Sequence, residues 1–276
     1  MTSFPPDPAT AAALARFYDL DLADDPGDLD LYLALAERAR GSGRSAGSSL
    51  PSGARVLELA VGTGRLAVPL AAAGHRVTGV DIDPAMLGRA RARAARDGVG
   101  GGTLDLVEAD IVGLSLPGGA TFDLGFIALN SLIALGSRTT QQAAMEALAA
   151  HLAPGGIAAV DVWLPDAEDL ARYDGRIILE WPRLDPETDR LVTKAGAAQY
   201  DAASATVRLT SIFEEGAQGQ PPTRWVRTDR LRLVSADELV SFAEAAGLRV
   251  ETLAGGYDLD PIGPGSERAV LVAIRP

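Results

Sequence analysis

From Ala54 onward, short apolar runs alternate with alanine-rich windows of helical periodicity, and this alternation constrains the fold more than any other feature of the chain. Parallel strands need a crossover between them, usually a helix, so the pattern predicts a doubly wound α/β sheet. Strands are expected at Arg55–Leu59, Arg76–Val80, Thr103–Glu108, Phe122–Ala128 and Ile157–Val162. Helices are expected between them at Thr63–Ala73, stopped by Gly74, at Pro84–Arg96, started by a proline in the first turn, and at Thr139–Leu152, ahead of Pro154-Gly155-Gly156. A helix at Ala236–Ala246, capped by Ser235, leads to a strand at Leu248–Leu253. The final strand, Arg268–Ile274, follows a loop too short for a crossover helix, so it must run antiparallel to its predecessor. The expectation is a seven-stranded, mostly parallel sheet whose last strand is antiparallel.

Two stretches stand outside this alternation. Ala9–Tyr18 and Leu29–Arg40 read as N-terminal helices, with Asp28 as N-cap of the second, and the Gly/Ser-rich run from Gly41 to Gly53 reads as a connector. After Pro165, β-branched and aromatic runs between turn residues (Arg176–Trp181, Arg190–Tyr200, Thr206–Glu214 and Arg224–Val234) predict an antiparallel insertion. The expected organisation is a helical lid and linker over 1–53, an α/β core over 54–165, the insertion over 166–234, and the end of the core sheet over 235–276.

Composition narrows the functions open to such a fold. With 276 residues, 47% of them hydrophobic and 22% charged, the chain builds one large core with an attached subdomain, and no apolar run is long enough for a membrane span. The N-terminus lacks the basic and apolar regions of a signal peptide, which predicts a cytoplasmic protein. Zero cysteines and two histidines argue against a metal site, and a net charge of -12 argues against nucleic acid. Arg89, Arg91, Arg93 and Arg96 fan around one helix and read as a solvated face.

The first strand runs into Ala60-Val61-Gly62-Thr63-Gly64, where glycines let backbone amides approach a ligand. Those glycines also satisfy the dinucleotide fingerprint G-x-G-x-x-G/A, so an NAD(P)-dependent oxidoreductase and a catalytically silent cofactor-binding protein are alternative readings. The oxidoreductase is disfavoured because the sole lysine, Lys194, has no tyrosine four residues before it. The surrounding set is more specific. Glu58 lies in the first strand, Asp81-Ile82-Asp83-Pro84-Ala85-Met86 ends the second, Glu108-Ala109-Asp110-Ile111 ends the third, and Leu152-Ala153-Pro154-Gly155-Gly156 introduces the fifth.

In these residues the chain resembles the class I S-adenosylmethionine-dependent methyltransferases, over roughly 54–165 and 235–275, and in particular a bacterial subgroup acting on small molecules. The family usually has glycine where this chain has Ala60, a departure that is tolerated if the local φ is negative. The resemblance implies S-adenosylmethionine as methyl donor, S-adenosylhomocysteine as product, and no metal. It implies that Ala60, Gly62, Thr63 and Gly64 lie against the donor, that Asp81 accepts from the ribose hydroxyls, that Ile82 and Met86 sandwich the adenine, and that Asp110 with Ile111 reads its edge. Glu58 either braces the turn or meets the ammonium end. Ala128, Leu129 and Asn130 lie near the methionine portion, and Tyr18 either closes the cleft or packs in a core.

Methyl transfer from a sulfonium needs mainly positioning and exclusion of water, so few groups are demanded. Asn130, and Asp161 and Trp163 at the carboxyl end of the fifth strand, are candidates for contact with a small-molecule acceptor, as is Tyr257, though each is equally open to a packing role. His75 and His151 read as structural. The insertion, with Trp181, Arg224 and Trp225, either roofs the acceptor pocket or pairs with a second subunit, leaving monomer and homodimer both open.

Overall fold

The structure is a computed structural model that describes residues 7–24, 26–42, 53–217, 219 and 221–276. By contact density the chain divides into two units, Met1–Asp25 with Pro165–Leu233 and Pro26–Leu164 with Val234–Pro276.

The larger unit is built on a seven-stranded sheet. Its strands are β1 (Arg55–Leu59), β2 (Arg76–Asp81), β3 (Thr103–Glu108), β4 (Phe122–Ile127), β5 (Leu152–Trp163), β10 (Arg249–Ala254) and β11 (Arg268–Ile274), in the spatial order β10-β11-β5-β4-β1-β2-β3. The first five pair in parallel, and β11 pairs antiparallel with both β10 and β5. Strands β1 and β4 are adjacent although β2 and β3 intervene in the chain, so the winding reverses there, and a doubly wound sheet binds ligands at the carboxyl ends beside such a switch point. Helices α2 (Leu29–Ser42), α3 (Ala67–Ala72), α4 (Pro84–Asp97), α5 (Ser131–Ala134), α6 (Arg138–Ala150) and α8 (Ala236–Ala245) complete the unit. The core is made by strand residues such as Val56, Val77, Leu124, Phe126, Ile157 and Val270, packed with Tyr32 and Leu35 of α2 and Leu70 of α3.

The smaller unit is a four-stranded antiparallel sheet, β6 (Asp174–Asp185), β7 (Arg190–Asp201), β8 (Thr206–Gly216) and β9 (Thr223–Arg232) in sequential order, with α1 (Pro8–Asp21) and the short α7 (Ala167–Arg172). Helix α1 covers one face: Phe17 stacks on Phe213 at 4.9 Å and meets Trp225 edge-on at 5.1 Å. Around that aromatic contact, Lys194 pairs with Asp21 at 2.6 Å and Glu180 at 2.8 Å, and Arg16 pairs with Asp185 and Glu215. The two N-terminal helices therefore fall in different units, α1 with the insertion and α2 with the core.

Several local expectations are revised. Helix α3 starts at Ala67, because Gly62 and Gly64 adopt φ of 54° and 75° and hold the chain in a turn. Strand β5 starts at Leu152, where a helix end and turn were expected; Gly155, at φ 77°, lets the register shift while Gly155 and Gly156 exchange backbone hydrogen bonds with Arg275. Asp28 immediately precedes α2, and its carboxylate is fully buried against Arg65, with oxygen-to-nitrogen distances of 2.5 and 2.6 Å. Ser235 does cap α8, accepting from Glu238 N–H.

Candidate functional site

The turn after β1 is where backbone and side-chain chemistry converge. Val61 N–H donates to Val80 O at 2.9 Å, tying the turn to the end of β2, and Asp81 takes over from there. One of its oxygens accepts from Gly62 N–H at 2.8 Å and the other from Asp83 N–H at 2.9 Å. A carboxylate offers about four lone-pair directions, so these two bonds fix Asp81 and leave acceptor capacity toward the ligand crevice. Gly64 is required twice over, by its positive φ and because a Cβ would lie 3.1 Å from the Ala90 side chain on α4.

Ala60 overturns an expectation. Its φ is 60°, in the left-handed region, where a methyl side chain costs about 1 kcal/mol. Tolerance of alanine here therefore does not rest on a negative φ. Ala60→Gly is expected to raise stability by about 0.5–1 kcal/mol, the relief being partly offset by the greater chain entropy of unfolded glycine. Thermal unfolding checks this, and a lower midpoint for the glycine variant would count against the left-handed turn.

Glu58 is buried beneath the turn with one oxygen, Oε2, lacking a partner. Burial pushes its pKa well above the carboxylate range, against the lowering effect of the Arg65 guanidinium. A carboxyl with a raised folded pKa contributes most below its unfolded value and loses that contribution as pH rises through the folded one. Glu58→Gln is accordingly expected to stabilise the protein at neutral pH by about 1–3 kcal/mol, with the gain shrinking as pH falls toward about 4.5. Urea titrations at two pH values test it; a gain that grew on acidification would contradict the assignment.

The other residues expected on the adenosine side fall around the same strand ends. Ile82 is 51% exposed just past β2, and Met86 is buried in the first turn of α4. Ile111 is buried beyond β3, and Asp110 beside it is exposed, one oxygen accepting from Val112 N–H at 2.8 Å. Thr63 is buried in the turn, and its carbonyl accepts from Arg93 Nε at 3.0 Å. Arg93 is thus a half-buried brace of the turn and not part of a merely solvated face, a role that helical spacing alone does not reveal.

On the other side of the switch point, Ala128 is buried and Leu129 and Asn130 are consecutive left-handed residues, with φ of 48° and 67°. Backbone strain of this kind persists only where the surroundings fix it. Here Leu129 N–H donates to Asp161 at 3.0 Å, and Asn130 accepts from Trp163 N–H at 2.6 Å, so both are clamped to the carboxyl end of β5. Asp161 is fully buried and accepts three further bonds: from Tyr32 OH at 2.7 Å, Tyr257 OH at 3.2 Å and Arg268 at 2.7 Å. Burial raises its pKa, and the Tyr32, Leu129 and Arg268 partners oppose that rise. A carboxylate with four protein donors is a positioning group, which revises its expected role in touching the acceptor. Trp163 and Tyr257 are half-buried, and the Arg268 guanidinium lies 4.7 Å from the centre of the Tyr257 ring. Tyr32 and Arg268 were not singled out from sequence, since nothing in their local context distinguishes them from core and surface. Tyr18 lies half-buried on α1 of the smaller unit.

Both histidines are structural. His75 accepts from Ala54 N–H at 3.2 Å, and burial lowers its pKa; His151 accepts from Leu116 N–H at 3.1 Å and bonds Ala147 O at 2.7 Å. Among the described residues no cluster of three metal-binding side chains occurs, and no helix is long and apolar enough to cross a membrane.

Against known proteins, a family model described as a methyltransferase domain matches residues 56–156. Residues 56–156 thus form a methyltransferase domain, and the fold is that of the S-adenosylmethionine-dependent methyltransferases. The cypemycin N-terminal methyltransferase of a Streptomyces species is 29% identical over 81% of this chain and 84% of its own. The CcbJ methyltransferase from Streptomyces caelestis superposes with a TM-score of 0.70 at 25% identity, over 98% of this chain and 97% of that one. An uncharacterized protein of Mycobacterium tuberculosis is 33% identical over 118 residues, which span 43% of this chain and only 40% of that relative. The seven-stranded sheet, with its antiparallel last strand between β5 and β10, is the fold class expected, and it is shared with an S-adenosylmethionine-dependent methyltransferase from Clostridium acetobutylicum at a TM-score of 0.74 and 18% identity, over 95% of this chain and 97% of that one.

The class I site residues present fit a sulfonium nucleoside. An unpartnered buried oxygen of Glu58 offers an acceptor to an ammonium, and the spare lone pairs of Asp81 offer acceptors to a diol. Ile82 and Met86 offer apolar surface to a purine.

Proposed function

We propose that the protein transfers a methyl group from S-adenosylmethionine to nitrogen, oxygen or carbon of a small-molecule acceptor, and that a neutral amine is the nucleophile the site suits best. The observation that carries this reading is the convergence of Glu58, Asp81, Ile82, Met86 and Ile111 on the carboxyl ends of β1, β2 and β3, beside the reversal of winding. When bound, S-adenosylmethionine supplies a methyl group already activated on a positively charged sulfur.

The chain's own residues then have to hold, orient and exclude water. Asp81 holds the ribose, Ile82 and Met86 the adenine, Asp110 and Ile111 its edge, and Glu58 the ammonium end. Ala128, Leu129 and Asn130 shape the floor beside the methyl group, with Trp163 and Tyr257 facing the acceptor. Metal is not required, since the leaving group is already a good one, and a net charge of -12 supports small acceptors over nucleic acid. A cytoplasmic location goes with this reading.

The preference for an amine rests on the bases. His75 and His151 lie at the amino ends of β2 and β5, away from the ligand end of the sheet. Asp161 is engaged by four donors, and Lys194 is paired with Asp21 and Glu180. An amine that arrives unprotonated needs no such base. Calorimetry with S-adenosylmethionine should show binding, and mass detection across a panel of amines, phenols and sugars should show methylation of amines, with a rate that follows the acceptor's own ionisation. Absence of binding sinks the function, and turnover confined to hydroxyl acceptors sinks the amine preference.

A further inference from the structure

Three carboxyl groups, those of Glu58, Asp28 and Asp81, lie around the turn after β1 with one guanidinium, that of Arg65, among them. Two of the three have donors of their own. Asp28 takes both terminal nitrogens of Arg65, at 2.5 and 2.6 Å, and Asp81 takes the Gly62 and Asp83 amides. Glu58 has less: it is 4% exposed, and its Oε2 has no hydrogen-bond partner among the described residues. Its neighbours in the sheet bring no charge, since Gly79 of β2 and Phe126 of β4 stand opposite it in register. Helix α3 brings the Ala67 amide and no ionisable side chain. A buried carboxylate short of donors, among a surplus of negative charge, is relieved of its cost by keeping a proton. A positive charge within about 4–6 Å reverses that preference.

We infer that binding of S-adenosylmethionine expels a proton from Glu58: the carboxyl is neutral in the ligand-free protein, ionises as the donor's ammonium arrives, and passes its proton to solvent. No other bond is made or broken, and the ammonium keeps its own three protons. Burial, with Asp28 and Asp81, holds the proton on the free carboxyl, whereas Arg65 and the Ala67 amide act the other way and ease its loss. The bound state therefore carries fewer protons than the free one, so affinity rises with pH. The rise ends where the donor's own α-amino group, with a pKa of about 7.7–8.0, begins to lose its charge. S-adenosylhomocysteine carries the same ammonium and shares this dependence. Placement of the ammonium beside Glu58 belongs to the methyl-transfer reading, on which the proton release rests.

Titration calorimetry of S-adenosylmethionine into the intact protein at about pH 6.5, in buffers of low and high ionisation enthalpy, counts the protons released. Roughly half to one proton per donor is expected, because the donor's amine is almost fully charged at that pH and takes up little. S-adenosylhomocysteine should release the same number. Methylthioadenosine, which has the nucleoside without the ammonium, should release close to none. Glu58→Gln should bind the donor without release, and the wild-type advantage in affinity over it should widen at least about tenfold between about pH 5.5 and about pH 7.5. Donor binding with fewer than about 0.2 protons released, or an advantage over Glu58→Gln that is equal at both pH values, overturns the inference and leaves the methyl-donor reading standing. Equal release with methylthioadenosine also overturns it and assigns the proton to Asp81. Absence of donor binding sinks the methyl-donor reading, and the proton release with it.

Discussion

Replacing Asp161 with alanine should destabilise the larger unit by about 3–5 kcal/mol, the largest effect expected of any single side chain at the site. The substitution strands four donors that have no other acceptor within their network: the hydroxyls of Tyr32 and Tyr257, the Leu129 amide and the Arg268 guanidinium. Tyr32 is fully buried, and the side chain of Arg268 is only 21% exposed, so water cannot readily replace the lost bonds. These donors come from α2, the loop after β4, the loop after β10, and β11, so the loss is distributed over four segments. Asp161→Asn should cost roughly half as much, because its carbonyl still serves Tyr32 and Leu129 while its amide opposes Arg268. Urea denaturation measures both. A cost below about 1 kcal/mol for alanine would mean that the network is dispensable.

Asp81→Ala should weaken S-adenosylmethionine binding about a hundredfold. Two hydrogen bonds from a ribose diol to a carboxylate are worth about 3 kcal/mol together, and 1.4 kcal/mol is a factor of ten. Part of the effect is indirect, since the same carboxylate holds Gly62 N–H and Asp83 N–H and so shapes the turn. Asp81→Asn separates the two contributions: it keeps the size and one acceptor oxygen, and should lose affinity without the full loss of turn stability. Titration calorimetry gives the affinities and thermal unfolding the stability. An affinity within a few-fold of wild type for the alanine variant would remove Asp81 from the donor site.

How much of this was legible in the sequence depends on the kind of information required. The order of strands and helices was, because burial on both faces of a parallel sheet writes itself as apolar runs, as at Val56-Leu57 and Leu124 to Ile127. The covered and uncovered faces of the insertion were not, since alternation along β7 and β8 shows that there are two faces and not what lies against either. Helices α5 and α7, of four and six residues, are too short for any period to register. The left-handed backbone of Ala60, Leu129 and Asn130 was invisible for a different reason: φ is imposed by the turn's hydrogen bonds, and alanine and leucine carry no mark of it. The Asp161 network joins positions 32, 129, 257 and 268 across the whole chain, a separation that local pattern cannot span.

The position of β11 also dictates an order of assembly. Strand β10 precedes it in the chain yet touches the sheet only through it, because β11 lies between β10 and β5. During synthesis, β1 to β5 can zip together as they emerge, whereas Arg249–Ala254 waits without a hydrogen-bonding neighbour until Arg268–Ile274 has been made. Arg268 arrives with that same strand, so Asp161 acquires its charge partner only at the final step, after the turn that joins β1 and β2 can already have closed.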